Sequence, residues 1–224
     1  MHKDTSNIAI IPARGGSKRL PRKNLYPIHG KPMIGWVIEK AISSGLFRQV
    51  IVSSEDHEVL EAARSFGAEP YQRPEHLADD MTHVGPVVDD VVESLKLRAD
   101  TVCLLFATAL LMRTHHLKQA FALLCKPEVK TVVPITEFDS AIQRAYEMHQ
   151  DGSIQMATPE FFQSRSQDLP KRFRDAGMFS WSKTLGHGGK VLGYVVPRTE
   201  AVDIDTPDDL SLAEALFNLQ RRDS

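Results

Sequence analysis

The sequence predicts an α/β protein built on a mostly parallel sheet with helices on both faces. Three observations lead there. Short apolar runs alternate with segments of helical period from Ile8 to Ile135. The first run, Ile8-Ala9-Ile10-Ile11, passes straight into a basic, glycine-containing stretch, at the place where ligands of open parallel sheets sit. The composition, 42% hydrophobic and 25% charged, is that of a chain with a packed core.

Taken in order, Ile8–Pro12 is apolar enough for a buried strand. Pro32 suits the first position of a helix on which Ile34, Val37, Ile38, Ala41 and Ile42 share a face, and Gly45 ends it. Gln49–Ser53 reads as a second strand. Val59, Leu60, Ala63 and Phe66 mark a second helix closed by Gly67, and Ala68–Tyr71 a short strand. A helical pattern spans Val84–Leu97 and a strongly apolar strand spans Thr101–Phe106. Leu117, Ala120, Phe121 and Leu124 give the next helix, and Lys130–Ile135 one more strand.

The pattern then changes. Thr136–Trp181 lacks a long helical period and is rich in turn residues. A structureless loop of that length is improbable in a compact domain. An inserted subdomain of short strands, about residues 137–180, is expected, with Phe138, Tyr146, Phe161, Phe162, Phe173, Phe179 and Trp181 packing on the parent domain or on a second copy. Val191–Val196 then reads as a strand. Thr206-Pro207 opens a last helix, Asp208–Gln220, with Leu210, Ala213, Leu216 and Phe217 on one face.

The chain has 224 residues, the size of a single domain carrying an insertion, so residues 1–224 are read as one unit. Net charge is −2, which gives no general basis for nucleic-acid binding. Cys103 lies in an apolar run and Cys125 near a helix end, with no zinc-ligand spacing. His115-His116 reads as helix surface. Met1–Asn7 is polar rather than signal-like, and no apolar stretch approaches the ~20 residues of a membrane span. A cytoplasmic protein is the expectation.

Two segments carry the chemistry. Ala13-Arg14-Gly15-Gly16-Ser17-Lys18-Arg19-Leu20-Pro21-Arg22-Lys23-Asn24 combines adjacent glycines, a serine and five cations. Glycines allow close backbone approach, exposed amides make an anion-binding concavity, and Arg and Lys supply counter-charge, so the stretch suits a polyphosphate. It fits neither the P-loop pattern nor the dinucleotide fingerprint, and a solvated basic loop is the plainer alternative. The other segment is Val202-Asp203-Ile204-Asp205-Thr206-Pro207. On an extended strand Asp203 and Asp205 point to one side. Either they share a hard cation such as Mg²⁺, which commonly takes one or two carboxylates plus phosphates, or Asp205 or Thr206 caps the last helix and Asp203 is solvated. The run Gln163–Gly177 is a charged loop in which Arg165 could grip a carboxylate, and Tyr71–Asp80 reads as irregular.

Together these stretches resemble one family, the cytidylyltransferases that activate nonulosonic acids, the sialic-acid-like nine-carbon sugars. The resemblance runs from Ile8 to about Leu219. It rests on Ile11–Lys18, Pro21–Asn24, Gly30-Lys31-Pro32, Val52-Ser53-Ser54, Arg73-Pro74 and Asp203–Thr206. Within the family, Thr136–Asp139, Ile142–Ala145, Arg165–Leu169 and Asp175-Ala176-Gly177 are most similar to the branch whose sugar is pseudaminic acid, the branch for N-acetylneuraminic, legionaminic or 3-deoxy-octulosonic acid being the alternative.

The resemblance implies a Rossmann-like fold of the nucleotide-diphospho-sugar transferase type and a reaction of CTP with the sugar acid. It implies that Ala13, Arg14, Gly15, Gly16, Ser17 and Lys23 cradle the triphosphate, with Asn24 and Arg73 beside the nucleotide. Asp203 and Asp205 would hold Mg²⁺; Arg14, Lys23, Asp203 and Asp205 would be the catalytic set. Arg165, Gln167 and Asp175 would face the sugar, and the insertion would be the arm of a homodimer. The activated sugar would serve flagellin or a surface polysaccharide. One departure stands out: the family's Pro-Thr-(Ala/Ser)-Pro turn is Ala107-Thr108-Ala109-Leu110 here, so a looser turn is expected. A nucleotide-sugar binder without activity is the non-enzymatic alternative.

Overall fold

The first strand, β1 (Asn7–Pro12), is buried along almost its whole length, as an apolar run between two neighbouring strands must be. A computed structural model describes residues 6–79, 81–184 and 188–222; Met1–Thr5 and Asp80 lie outside the described residues. A small antiparallel pair, β2 (Pro27–Ile28) and β3 (Lys31–Pro32), leads into α1 (Met33–Ser43). Pro32 therefore flanks the helix one residue before the expected position, in an extended conformation at ψ 144°. Then come β4 (Gln49–Ser54), α2 (His57–Ser65) and β5 (Glu69–Gln72). Asp56 caps α2, its Oδ1 accepting from the Glu58 and Val59 amides at 2.8 and 3.3 Å. The next helix, α3 (Val84–Ser94), ends short of Leu97 because Lys96 takes a left-handed φ of 48°.

The second half begins with β6 (Thr101–Leu105), α4 (Thr114–Leu124) and β7 (Val129–Glu137). It continues with the hairpin β8 (Tyr146–Met148) and β9 (Ile154–Met156), then β10 (Phe173–Asp175), β11 (Phe179–Lys183), β12 (Lys190–Val195) and α5 (Pro207–Arg222). The main sheet runs β10-β7-β11-β6-β1-β4-β5, with β12 on the other edge of β7. β1 pairs in parallel with β4 and β6, β4 with β5, and β12 with β7. This is the expected mostly parallel sheet. Alternation along β1 sends Ala9 and Ile11 to the face covered by α1, α2 and α4, and Ile8 and Ile10 to the face where α3 lays Val91.

The expected insertion is shorter than 137–180. The chain leaves the sheet after Glu137 and returns as β10, which pairs antiparallel with β7, and β11, which lies antiparallel between β6 and β7. Phe179 and Trp181 thus belong to the parent core, where Trp181 stacks on Phe47 at 5.0 Å. The excursion is closed at its neck by the Phe138 amide on the Arg172 carbonyl at 3.1 Å and by Gln143 Nε2 on the Pro170 carbonyl at 2.7 Å.

His116 also departs from the expectation of helix surface: it is 1% exposed. Its Nδ1 accepts the Arg113 amide at 3.2 Å and its Nε2 lies 2.9 Å from Glu200, which also pairs with Arg113 at 2.6 Å. Burial first, then His115, Arg113 and Lys40, push the imidazole pKa from 6.5 down to about 4. The unfolded chain therefore takes up this proton before the folded one. Stability is full above the unfolded value and declines as pH falls from 6.5 toward 4, by up to about 3 kcal/mol. Urea midpoints at pH 7.5 and pH 5 should show this fall, and His116→Gln should flatten it; an unchanged slope in the variant would reject the assignment.

Candidate active site

The acidic segment reaches the basic loop because of one buried side chain between two acids. Ile204 is fully buried and packs with Leu20, Ile28, Met33, Leu110 and, from α5, Leu210, Ala213 and Phe217. Burying a side chain of that size is worth about 2 kcal/mol. With Ile204 anchored inward, the alternation of an extended chain turns Asp203 and Asp205 outward. Leu20 anchors the basic loop in the same cluster, so one core patch fixes both segments.

The resulting contacts are direct. Lys23 Nζ donates to Asp205 Oδ1 at 2.9 Å and to the Ile204 carbonyl at 2.8 Å. Arg19 Nη2 donates to Asp205 Oδ2 at 2.6 Å. Partial burial raises the Asp205 carboxyl, but Lys23 and Arg19 outweigh it and hold the group below the ordinary carboxylate value. Partial burial, followed by the Asp205 charge, pushes Asp203 above it. The capping alternative is resolved in favour of Thr206: its Oγ1 accepts the Asp209 amide at 3.3 Å while Asp209 Oδ2 accepts the Thr206 amide at 2.8 Å, a reciprocal box. Asp205 is thereby free for Lys23 and Arg19.

Beside this seam lies a cleft of about 280 Å³ lined by Pro12, Arg14, Lys23, Asn24, Arg73 and Phe106-Ala107-Thr108, among others. It sits at the carboxyl ends of β1 and β6, where the chain switches direction across the sheet, the expected place for a ligand. Ala13 donates its amide to the Ser53 carbonyl at 2.9 Å, Asn24 Nδ2 caps the Arg14 carbonyl at 2.8 Å, and Arg14 Nη1 donates to the Asp79 carbonyl at 3.4 Å. The stretch Gly15-Gly16-Ser17 turns with the Ser17 amide on the Gly15 carbonyl at 3.1 Å. Arg73, 5% exposed, is clamped by Ser53, with Nε on Oγ at 3.2 Å and Nη2 on the carbonyl at 2.6 Å.

The turn without prolines is not left open. Leu110, in place of proline, uses its amide on the Thr108 carbonyl at 2.7 Å, and Ala109 donates to the Phe106 carbonyl at 3.0 Å. The Lys40 ammonium, whose pKa burial lowers to about 8, donates to the Leu110 carbonyl.

The three expected sugar contacts are not brought to this cleft. Arg165 is exposed and pairs with Asp168 at 2.6 Å. Gln167 lines a separate hollow of about 310 Å³ with Glu137, Asp139 and Pro170. Asp175 accepts the Gly177 amide at 2.7 Å. Asp203 borders another hollow, of about 690 Å³, with Arg174, Arg198 and Leu216. Among the described residues no three His, Cys, Asp or Glu gather as a metal site. Ser53, Glu55 and Arg19 are site residues that sequence reasoning did not single out. Ser53 stood in the Val52-Ser53-Ser54 motif, but nothing local marked its partners.

Comparison with known proteins bears on the family and the fold. A family model described as cytidylyltransferase matches residues 8–185. The pseudaminic acid cytidylyltransferase of Campylobacter jejuni subsp. jejuni is 38% identical over 227 residues, covering 95% of this chain and 97% of that protein. An N-acylneuraminate cytidylyltransferase of Danio rerio is 29% identical over 92% of this chain, which spans 49% of that protein. Among solved structures, CMP:2-keto-3-deoxy-manno-octonic acid synthetase complexed with CTP superposes with a TM-score of 0.71 at 20% identity, covering 96% of this chain and 100% of the other. That last likeness concerns the fold.

Proposed function

This chain belongs to the cytidylyltransferase family, and from that premise we propose that it joins CTP to pseudaminic acid, releasing CMP-pseudaminic acid and pyrophosphate. The observation that carries this is the meeting of Lys23 and Asp205, 182 positions apart, at 2.9 Å beside a cleft lined by Arg14, Asn24 and Arg73. The anomeric hydroxyl attacks the α-phosphorus, a new O–P bond forms, and the bond to the β-phosphate oxygen breaks. Negative charge grows on the phosphate oxygens, so catalysis is positioning and charge stabilisation. Arg14, Lys23, the Gly16 amide and the Ser17 hydroxyl supply donors for the triphosphate, the Gly15 and Ser17 amides being taken by Glu55 and by the Gly15 carbonyl; Asn24 and Arg73 border the nucleotide.

Mg²⁺ fits the acidic pair. Asp203 accepts no hydrogen bond among the described residues and is destabilised as an anion by burial and by Asp205, an imbalance that a dication relieves. Asp203 and Asp205 would hold the ion, which when bound supplies charge to the α-phosphate. Lys23 and Arg19 keep Asp205 ionised and oriented for that role.

The sugar set is read as serving a second copy. Arg165 and Gln167 sit on an excursion whose hairpin exposes Tyr146, Met148 and Ile154, the last two by 78% and 60%, an apolar tip suited to burial in a homodimer. Among the described residues no helix is long and apolar enough to cross a membrane. The test is pyrophosphate release from CTP with pseudaminic, N-acetylneuraminic, legionaminic and 3-deoxy-octulosonic acids. At least ~10-fold higher kcat/KM with pseudaminic acid is expected, equivalent to about 1.4 kcal/mol of discrimination. Preference for another acid rejects the sugar assignment; CTP binding without release for every acid rejects the enzyme.

A further inference from the structure

We propose that Glu55 is a positioning residue for the nucleotide, holding the Gly15 amide of the phosphate loop and facing the Arg73 guanidinium across the end of β4. Five contacts converge there. The Ser53 carbonyl accepts both the Ala13 amide at 2.9 Å and Arg73 Nη2 at 2.6 Å. Glu55 Oε1 accepts the Gly15 amide at 2.7 Å. Its other oxygen, Oε2, is buried without a hydrogen-bond partner, and Arg73 Nη1 stands 4.0 Å away. The Glu55 carbonyl takes Gln72 Nε2 at 3.3 Å, tying the same residue to β5. Residues 53–55 thus grip the phosphate loop on one side and the nucleotide-side arginine on the other.

The loop is pressed hard against this point. A Cβ on Gly15 would meet the Asp56 carboxylate at 2.4 Å, so glycine is required there for approach and not for a positive φ. A carboxylate at the edge of a polyanion site repels the ligand. Its presence calls for a compensating role, and the distances identify which. A charge-assisted hydrogen bond at 2.7 Å restrains the Gly15 amide directly. A contact at 4.0 Å without a hydrogen bond restrains Arg73 far less, and Ser53 already fixes that side chain. Reach therefore comes first: the acceptor oxygen must arrive at Gly15, and the negative charge then strengthens that bond and faces the buried Arg73.

This inference rests on reading residues 13–23 as the triphosphate cradle. Pyrophosphate release by the unmodified protein reports on that reading; the contrast between two substitutions reports on Glu55. Glu55→Gln keeps the reach and removes the charge. Glu55→Asp keeps the charge and shortens the reach by about one bond, ~1.5 Å. Glu55→Asp is expected to raise the KM for CTP at least ~10-fold with kcat changed less than ~3-fold, and Glu55→Gln to raise that KM by a clearly smaller factor. CTP titration calorimetry should show the same contrast without turnover, and thermal melting should show all three proteins folded. Parent-like CTP affinity in Glu55→Asp, equal losses in the two variants, or a loss confined to kcat would overturn the proposal.

Discussion

Asp205→Asn is expected to lower turnover by at least ~100-fold while leaving the protein folded. The two effects separate because they draw on different magnitudes. Asp205 is partly exposed and pairs with Lys23 and with the more exposed Arg19. Such pairs contribute about 0–1 kcal/mol to stability, and Lys23 keeps its bond to the Ile204 carbonyl when the charge is gone. Ile204 stays in its buried cluster, so the segment keeps its place. Transition-state stabilisation is larger: losing a carboxylate that would hold the cation facing the developing charge is expected to cost roughly 3–4 kcal/mol. Pyrophosphate release measured across a Mg²⁺ series, beside a melting curve, checks both halves. Turnover like the parent's would remove Asp205 from the reaction, and a collapsed melting temperature would show that its role is structural.

Lys23→Ala should cost a similar factor, about 10²-fold in kcat. The ammonium touches two atoms of the acidic segment and lines the cleft, so it joins Asp205 to the proposed nucleotide site. Lys23→Arg should recover only part of the rate, because a planar fork does not reproduce a compact point charge at two acceptors. Combining Lys23→Ala with Asp205→Asn should cost little more than either alone, since residues acting as one unit are strongly non-additive. Full additivity of the two losses would show that they act independently.

Much of this was legible beforehand for identifiable reasons. An apolar strand entering a glycine-rich basic stretch is a local signal, and β1 with its loop emerged where expected. Asp203-Ile204-Asp205 was read from strand alternation, and the structure adds the buried Ile204 that enforces it. The misreadings share a cause. Phe179 and Trp181 looked like part of an insertion because nothing in their sequence marks β11 as the antiparallel strand between β6 and β7. His116 looked exposed because its partner, Glu200, lies 84 positions away. Glu55 was not singled out, and the Ser53 contacts were not foreseen, because their partners Ala13, Gly15 and Arg73 lie in the segments that follow β1 and β5.

By itself, the order of residues determined the alternation of strands and helices from Ile8 to Ile135, where adjacent glycines fall, and which acids share a side, since period, glycine content and alternation act over a few residues. Only the folded chain decided that Lys23 meets Asp205, that Glu55 meets Gly15, and that Arg165 and Gln167 stay away from the cleft. Those contacts depend on hydrophobic burial and strand pairing between distant segments, which no short stretch encodes.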